Sequence, residues 1–406
     1  MREIILISFL GPDQPNQFTR LMQVLSVHSL QILDVGQAVI HNQLTLGIVV
    51  ASDDETATAL AMKEILILAH DIGLTVRFKP ISSAEYDQWV SEGGRTRYIV
   101  TALAPELTAS HLQAVTKIVS NQGFNIETVT RLSGRPALEL EQDAPQRACV
   151  QFGLSGQMLD AQAMRAACLS LSGELNIDVA VQEDNAYRRN RRLVCFDMDS
   201  TLIEQEVIDE LALEAGVGEQ VAEITERAMQ GELDFQQSFR ARVALLKGLD
   251  AAVLPKIAER LTVTEGAERL ISTLKALGYR TAILSGGFQY FAEYLQGKLG
   301  IDEVHANILD VENGFVTGEV KGAIVDGARK AELLRDLAQC MGISLEQTIA
   351  VGDGANDLPM LSIAGLGVAF RAKPLVRQNA NQAISSVGLD GVLYLLGVHD
   401  KDLSRA

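Results

Sequence analysis

The sequence is poor in cysteine and proline, and it has too few basic residues to balance its acidic ones. Among 406 residues there are four cysteines and nine prolines, and the formal net charge is −17. The cysteines show no CxxC spacing, which favours a reduced, cytoplasmic protein over a disulfide-stapled one. Sparse proline beside 33 glycines is typical neither of disordered nor of fibrous chains.

The shortage of positive charge also limits the ligands that the chain can bind. A sequence pI near 4.8 argues against general nucleic-acid binding. An anionic substrate must therefore be attracted locally, by a metal ion, Lys, Arg or backbone N–H groups.

Long apolar runs are missing as well. No uninterrupted apolar stretch approaches the roughly 20 residues of a membrane helix, so we expect no membrane association. The run 4–10 is short and ends at Gly11-Pro12, which suits a buried strand better than a signal peptide. With 47% hydrophobic residues over this length, the chain predicts two or three packed domains.

The first 182 residues repeat one pattern of predicted elements. Residues 1–81 and 95–182 each predict a β-α-β-β-α-β order, which is the split βαβ sandwich. Residues 82–94, with Trp89 and Gly93-Gly94, are interpreted as a linker. The order, size and tandem arrangement resemble ACT regulatory domains.

The ACT resemblance implies an amino-acid effector and a homodimer. In such domains the ligand commonly lies near the loop between the first strand and the first helix. Here that loop contains Gly11, Asp13 and Asn16 as candidates, and a helix cap is the alternative interpretation of the two polar residues. The second copy has no glycine in the corresponding loop, residues 104–108.

Residues 183–192 form a polar run with four arginines. We interpret it as a linker, either solvated or contributing interdomain salt bridges. From residue 193 onward, strands and helices alternate. Strands are predicted at 193–196, 280–284, 348–351 and 366–370, which indicates an α/β domain with a doubly wound parallel sheet over 193–406. Residues 203–262 predict a helical cap inserted after the first strand.

Two acidic clusters follow predicted strands of this domain. Asp197 and Asp199 come directly after an apolar strand, and residues 352–357 (Gly-Asp-Gly-Ala-Asn-Asp) follow another. One carboxylate of the pair can attack an electrophile while the other, protonated, serves a leaving group. Acidic strand ends in one sheet predict a hard-metal site and phosphoryl chemistry.

Two further features belong to the same predicted edge. Ser285-Gly286-Gly287 ends a strand and presents backbone N–H groups to an anion. Lys330 lies at the start of a predicted helix. Each feature has an ordinary explanation as a turn, a cap or a solvated charge, but their joint occurrence in this order favours a site.

These motifs resemble the haloacid dehalogenase-like phosphatases, and within them the phosphoserine phosphatase family. The resemblance is carried by residues 196–203 (Phe-Asp-Met-Asp-Ser-Thr-Leu-Ile), 285–288 (Ser-Gly-Gly-Phe) and 351–357. It implies hydrolysis of O-phosphoserine, the last step of serine biosynthesis, through an aspartyl-phosphate. Asp197 is the implied nucleophile and Asp199 the implied acid and base.

The same resemblance assigns the metal and phosphate ligands. It implies Mg²⁺ held by Asp197, the backbone carbonyl of Asp199 and Asp353. Asp357 would act outside these direct ligands or bind a water molecule on the metal. Lys330 would neutralise phosphate charge. The phosphate and substrate would also contact Ser285, Gly286 and Asn356.

The predicted cap matches the family's substrate-recognition spacing. Glu206 is expected to pair with the substrate ammonium group, and Arg242 to bind its carboxylate. Met229 and Phe235 are expected to form the wall of the pocket.

Two alternative functions remain open from the sequence. A phosphotransferase or phosphatase acting on another small phosphomonoester, or on an alcohol such as homoserine, would use the same chemistry. An amino-acid-sensing binding protein with a vestigial catalytic domain is the other alternative, although the acidic and basic site positions are all filled.

Overall fold

The computed structural model describes residues 2–92, 96–135 and 147–403. Contacts divide the chain into two compact units, Met1–Arg95 and Thr96–Ala406. The side chain of Met229 lies outside the described residues, as do the linker residues Gly93 and Gly94.

The first unit is an antiparallel sheet with two helices packed on one face. Its elements are β1 (Glu3–Pro12), α1 (Gln17–Val27), β2 (Gln31–Ile40), β3 (Gln43–Ser52), α2 (Glu55–Asp71), β4 (Thr75–Ile81) and α3 (Ser83–Glu92). The strand order is β2-β3-β1-β4. Alternate residues of β1, such as Ile5, Ile7 and Phe9, are buried against the helices. Residues 83–92 of the predicted linker form α3.

The second module has the same order. Its elements are β5 (Arg97–Ala104), α4 (Ala109–Asn121), β6 (Asn125–Arg131), β7 (Ala148–Ser155), α5 (Ala161–Leu175) and β8 (Asp178–Glu183). The strand order is β6-β7-β5-β8, and all three pairings are antiparallel. Both sheets therefore match the predicted split βαβ sandwich.

The remainder of the second unit is built on a seven-stranded sheet. Its strands are β9 (Leu193–Phe196), β10 (Arg280–Phe288), β11 (Glu303–Glu312), β12 (Phe315–Lys321), β13 (Thr348–Gly352), β14 (Leu366–Phe370) and β15 (Gln382–Ile384). Their order is β12-β11-β10-β9-β13-β14-β15. Among these seven strands, β12 pairs antiparallel with β11 and the other pairings are parallel. Strands β9, β13 and β14 are buried throughout, as expected for strands covered on both faces.

Helices cover the sheet and form the cap. The cap helices are α6 (Val207–Ala215), α7 (Gly218–Met229), α8 (Phe235–Leu245) and α9 (Val253–Arg260). The other helices are α10 (Ala267–Ala276), α11 (Gln289–Leu299), α12 (Gly327–Cys340), α13 (Leu358–Ile363), α14 (Pro374–Asn379), α15 (Gly391–Leu395) and α16 (Asp400–Leu403). Within the described ranges, no helix has both the length and the apolar character that crossing a bilayer demands.

Several elements differ from the sequence-based expectation. Strands β11, β12 and β15 were not predicted, and β10 continues four residues beyond Leu284. β12 lies at the sheet edge and β11 is mostly half-buried, so neither has the continuous apolar run that marked the central strands. Lys330 is the fourth residue of α12 rather than its first.

The second module is hydrogen-bonded to the parallel-sheet domain. Asp178, 1% exposed, accepts hydrogen bonds from the backbone N–H groups of Ser385 (2.8 Å) and Ser386 (2.7 Å). The Gln382 side chain bonds both the N–H and the C=O of Val181. These buried polar contacts connect β8 with the β15 edge of the large sheet.

Candidate active site

The carboxyl ends of β9 and β13 bring the two acidic clusters together. The two strands are parallel neighbours, with Phe196 opposite Val351. The backbone N–H of Asp197 donates to Val351 O at 2.9 Å, which continues the ladder by one residue. Because both strands end at the same sheet edge, Asp197 and Asp353 lie beside each other.

Lys330 holds two of the carboxylates. Its Nζ lies 2.9 Å from Asp197 Oδ2 and 2.7 Å from Asp357 Oδ1, and the side chain is fully buried. Burial alone would lower the pKa of Lys330, but the two neighbouring carboxylates outweigh it and raise the pKa. The lysine is therefore a permanent positive charge against the base of the site.

Three carboxylates converge here against one ammonium group. Oxygens of Asp197, Asp353 and Asp357 all lie within 4.8 Å of one another. Burial and the Asp197 charge raise the pKa of Asp353 to about 7 and that of Asp357 to about 8. Such excess negative charge, presented by oxygen atoms alone, fits a hard divalent cation.

Asp357 is already held by two donors. Lys330 occupies Oδ1, and the N–H of Gly354 donates to Oδ2 at 2.9 Å. Asp353 is less constrained, with one long contact from Thr201 Oγ1 at 3.4 Å. This difference fits Asp353 as a direct metal ligand and Asp357 in an outer role.

Asp199 has a different environment from Asp197. Its Oδ1 accepts a hydrogen bond from the N–H of Val207, at the start of α6, at 3.1 Å. Burial, followed by the charges of Glu206 and Asp197, raises the pKa of Asp199 well above its ordinary value. A protonated carboxyl group at this position can donate a proton, while Asp197 is held in place by Lys330.

The Ser285-Gly286-Gly287 turn lies against the aspartate pair. The fully buried Ser285 hydroxyl accepts a hydrogen bond from the N–H of Gly287 at 2.9 Å, so its own hydrogen can be donated to a ligand. A Cβ at Gly287 would lie 2.4 Å from Asp199 Oδ2. The glycine is therefore required by the close approach of the turn to Asp199.

Cap residues reach the same pocket. Glu206 Oε1 accepts a hydrogen bond from Ser200 Oγ at 2.7 Å, and burial raises the pKa of Glu206. The Arg242 guanidinium is within electrostatic reach of Glu206 and Asp199, and its buried Nε has no hydrogen-bond partner in the described part of the chain. A Cβ at Gly286 would meet the Phe235 ring at 2.9 Å. The structure thus brings three of the four predicted cap residues to the strand ends; Met229 ends α7.

Three contributing residues were not identified from the sequence. Thr201, fully buried, contacts Asp353, and Ser200 adopts φ +54° to reach Glu206. Both directly follow the Asp197/Asp199 motif, a proximity that could have suggested them. Asn307 donates to Gly286 O at 2.8 Å and accepts from the N–H of Val325. Its strand, β11, was itself not predicted.

Asn356 and the regulatory loop complete the predicted residues. Asn356 is half-buried in the 3-10 turn beside Gly354.

In the first unit, a Cβ at Gly11 would lie 2.7 Å from Gly73 O, so close chain packing requires this glycine. Asn16 occupies the N-cap position with φ 68° but makes no side-chain capping bond, so the capping alternative was wrong for it. Asp13 is exposed near it.

Family models match all three parts of the chain. A haloacid dehalogenase-like hydrolase model matches residues 191–365, and ACT-domain models match residues 3–79 and 96–182. These matches agree with the parallel-sheet domain and the two antiparallel sheets. The predicted fold class is confirmed.

Relatives resemble the chain over nearly its whole length. A phosphoserine phosphatase of Streptomyces coelicolor is 40% identical, covering 99% of this chain and 94% of its own. One from Mycobacterium tuberculosis is also 40% identical, covering 99% and 95%. Among solved structures, a haloacid dehalogenase family hydrolase from Salmonella enterica gives a TM-score of 0.63 at 30% identity, over 73% of this chain and 98% of that one.

A probable phosphoserine phosphatase from Vibrio cholerae, in unliganded form, gives a TM-score of 0.59 at 36% identity, over 78% of this chain and 90% of that one. The residues matched by the haloacid dehalogenase-like hydrolase model, 191–365, include the aspartates, Ser285 and Lys330 whose convergence is described above. The chain therefore belongs to the phosphoserine phosphatase family of haloacid dehalogenase-like hydrolases, with two ACT domains.

Proposed function

We propose that this phosphomonoester hydrolase cleaves O-phosphoserine to serine and phosphate, the last step of serine biosynthesis. The observation that carries the proposal is the pairing of Asp197, which is held by Lys330, with a buried Asp199 whose pKa is raised. A phosphoaspartyl mechanism requires one carboxyl group as nucleophile and a second, protonated one as acid.

In the first step, Asp197 attacks phosphorus. Oδ1 is held by the N–H of Met198 at 2.7 Å and Oδ2 by Lys330, so the carboxylate has a restricted orientation. A bond forms between an Asp197 oxygen and phosphorus, and the bond from phosphorus to the serine oxygen breaks. Asp199 gives its proton to that departing oxygen.

In the second step, Asp199 takes a proton from water. The water oxygen attacks phosphorus, and the bond from phosphorus to Asp197 breaks, which restores both carboxyl groups. Ser285 and the N–H of Gly286 contact the phosphoryl oxygens, and Lys330 neutralises part of their charge. Fixed donors of this kind stabilise charge that develops in the transition state.

The acidic cluster fits Mg²⁺. Asp197, the backbone carbonyl of Asp199 and Asp353 would hold it, with Asp357 orienting a ligand from outside. When bound, Mg²⁺ would offset the negative charge shared by the phosphate and these carboxylates. Without that offset, the raised pKa values of Asp353 and Asp357 show how poorly the cluster tolerates three anions.

Cap residues would recognise the amino-acid end of the substrate. Arg242 has an unpartnered Nε among the described residues, which suits a carboxylate ligand. Glu206 would pair with the ammonium group, and Phe235 would cover the phosphate turn. Asn356 would orient the substrate from the 3-10 turn that follows β13, and Met229 would contribute to the pocket wall.

The proposal is tested by comparing kcat/KM for O-phosphoserine, ethyl phosphate and an aryl phosphate, with and without Mg²⁺. We expect phosphoserine to be preferred by at least tenfold and activity to need the metal. Adding homoserine as an acceptor separates hydrolysis from phosphoryl transfer. If phosphoserine were no better than the aryl phosphate, the substrate assignment would be wrong.

We also propose that the enzyme is a cytoplasmic homodimer whose ACT domains bind an amino acid. The first-module loop with Gly11, Asp13 and Asn16 is the candidate ligand site. Light scattering of the full chain, with and without serine or glycine, tests the assembly; a monomer throughout would contradict it.

A further inference from the structure

A cavity separate from the active site lies between the second ACT module and the phosphatase domain. Its volume is about 320 Å³, within the range of small-ligand pockets. It is bounded by α5 and β8 on one side, and by β14, β15 and the end of α14 on the other. None of the residues proposed above for catalysis lines it.

One wall of the cavity carries a buried positive charge. Arg191 is 5% exposed, and its Nη2 donates to Gln182 Oε1 at 3.1 Å and more weakly to Gly365 O. Within the described ranges, its Nε and Nη1 have no hydrogen-bond partner. Arg377 lines the same cavity and donates to Ser172 through Nη2, while its buried Nε is likewise unpartnered there.

The nearby acids do not neutralise Arg191. Asp178 is already occupied by donors from Ser172, Ser385 and Ser386, and the lining residues Glu183 and Glu346 are exposed. In the described part of the chain, Arg191 has no carboxylate within salt-bridge distance.

Arg188, also 5% exposed, adds positive charge next to Arg191. Burial and this neighbour lower the pKa of Arg191 to about 10, which still leaves it cationic at pH 7. A buried guanidinium with unsatisfied donors is costly unless an anion joins it. The arginines of residues 183–192, expected to be solvated or engaged in salt bridges, thus include a buried one that lacks an acidic partner.

The second module contributes apolar side chains to the cavity. Met158, Met164, Cys168 and Leu169 line it, together with the exposed Arg165. Burial raises the pKa of the Cys168 thiol to about 12, so this thiol is uncharged at neutral pH. A ligand in the cavity would therefore meet both cations and apolar side chains.

We propose that this cavity binds a small organic carboxylate, with its oxygens on Arg191 and Arg377 and its apolar part against the side chains of Met158, Met164, Cys168 and Leu169. Such a ligand contacts both domains of the second unit and stabilises their association. This site goes beyond the proposed function and does not depend on it, because binding is measured without phosphoserine.

The test uses the full-length protein and 4-methylpentanoate as probe, with 4-methylpentanamide as its uncharged analogue. Calorimetry measures binding and differential scanning fluorimetry measures the midpoint of unfolding. We expect the carboxylate to bind and to raise the midpoint, and the amide to bind at least tenfold more weakly.

Arg191→Met removes the cation, and Arg192→Met is the matched control at an exposed neighbour that does not line the cavity. We expect at least a tenfold loss of affinity in R191M and none in R192M. Because Arg242 could also attract a carboxylate, binding lost in R242M but kept in R191M would place the probe in the active site and overturn the proposal.

Arg377→Gln replaces R191M in the binding test if circular dichroism shows that R191M is not folded. It keeps a polar side chain and removes the cation, and we expect it to weaken binding several-fold. Equal binding of carboxylate and amide, no binding at all, or unchanged affinity in the folded arginine variants would each overturn the proposal.

Discussion

Lys330 carries a full positive charge in a position from which water is excluded. Two carboxylate oxygens lie within 2.9 Å of its Nζ, and the side chain is completely buried. The charge of this one residue therefore offsets the repulsion between Asp197 and Asp357.

Replacing the lysine with an apolar residue of similar length tests this dependence. In Lys330→Met we expect kcat to fall at least about 100-fold, because charge stabilisation at the phosphate is lost. Two buried carboxylates would also lose their partner, which costs about 3–5 kcal/mol of the free energy of unfolding. Steady-state kinetics and urea unfolding measure the two effects.

Lys298→Met, an exposed lysine in the last turn of α11, is the control and should leave both quantities unchanged. An active K330M variant of normal stability would contradict the assigned role of the charge.

The nucleophile is tested by Asp197→Asn. Amides are poor nucleophiles toward phosphorus, so turnover should fall on the order of 10⁴-fold or more. Asp336→Asn, an exposed acid on α12, is the matched control. Unchanged phosphate release from D197N would exclude the aspartyl-phosphate mechanism.

Arg242 is expected to contribute to substrate binding rather than to the chemical step. In Arg242→Met we expect KM for O-phosphoserine to rise at least tenfold, because a charge-assisted bond to the carboxylate is lost. KM for ethyl phosphate, which has no carboxylate, should stay the same. Arg240→Met on the exposed face of α8 is the control. Equal effects on both substrates would assign Arg242 to the structure of the cap instead.

At the scale of elements, the last residues of β10 position several of the proposed catalytic groups at once. Gly286 lies under the Phe235 ring and Gly287 against Asp199, while Asn307 of β11 binds the Gly286 carbonyl. The approach of the strand end to the aspartate pair leaves no room for a side chain.

Gly287→Ala should therefore displace Asp199 and Ser285. The added Cβ would lie 2.4 Å from Asp199 Oδ2 and 3.1 Å from Ser285 Oγ. A misplacement of about 1 Å at such a site costs on the order of 100-fold in rate. Gly297→Ala in α11, where a Cβ meets nothing within 4 Å, should keep its activity and gain up to about 1 kcal/mol of stability. A fully active G287A would show that the turn can shift without consequence.

At the scale of the second unit, an ionic network connects the second ACT module with the phosphatase domain. Asp400 accepts hydrogen bonds from the N–H of Gly134 and from Arg269 Nη2, both at 2.7 Å, and from the Tyr394 hydroxyl. Arg269 also contacts Asp390, which binds Arg147 of the module. This end of the unit is held by charges rather than by apolar packing alone.

This network predicts a pH dependence of stability. Burial by itself would raise the pKa of Asp400, but the donors from Gly134, Arg269 and Tyr394 lower it overall. A carboxylate whose pKa is lower in the folded state stabilises the fold above its unfolded pKa, about 3.9, and this contribution disappears as the pH falls through the folded value.

In urea unfolding at pH 7, 5, 4 and 3, Asp400→Asn should be less stable than the wild type at pH 7. The difference should shrink below about pH 4. Asp402→Asn, exposed on the same short helix, is the control. A difference that stays constant across this range would show that the charge of Asp400 contributes nothing.

Much of the fold and of the site could be predicted from local sequence. The buried strands β9, β13 and β14 are continuous apolar runs, and Asp197, Asp199 and the 352–357 cluster directly follow two of them. A parallel sheet brings such strand ends to one edge, so the convergence of the acids follows from their positions in the chain. Strands β11, β12 and β15 were missed because β11 and β12 lack a continuous apolar run and β15 has only three residues.

The sequence alone determined the reaction class, since the acidic pair, the Ser-Gly-Gly segment and the lysine each lie at a strand end or near the start of a helix. Only the tertiary structure decided the charge states, because the pKa of Asp199 depends on burial by the cap and that of Lys330 on two carboxylates distant in sequence. The tertiary structure also decided the burial of Arg191, which no sequence pattern marks as a buried residue. Its burial depends on the packing of two domains that no local pattern specifies.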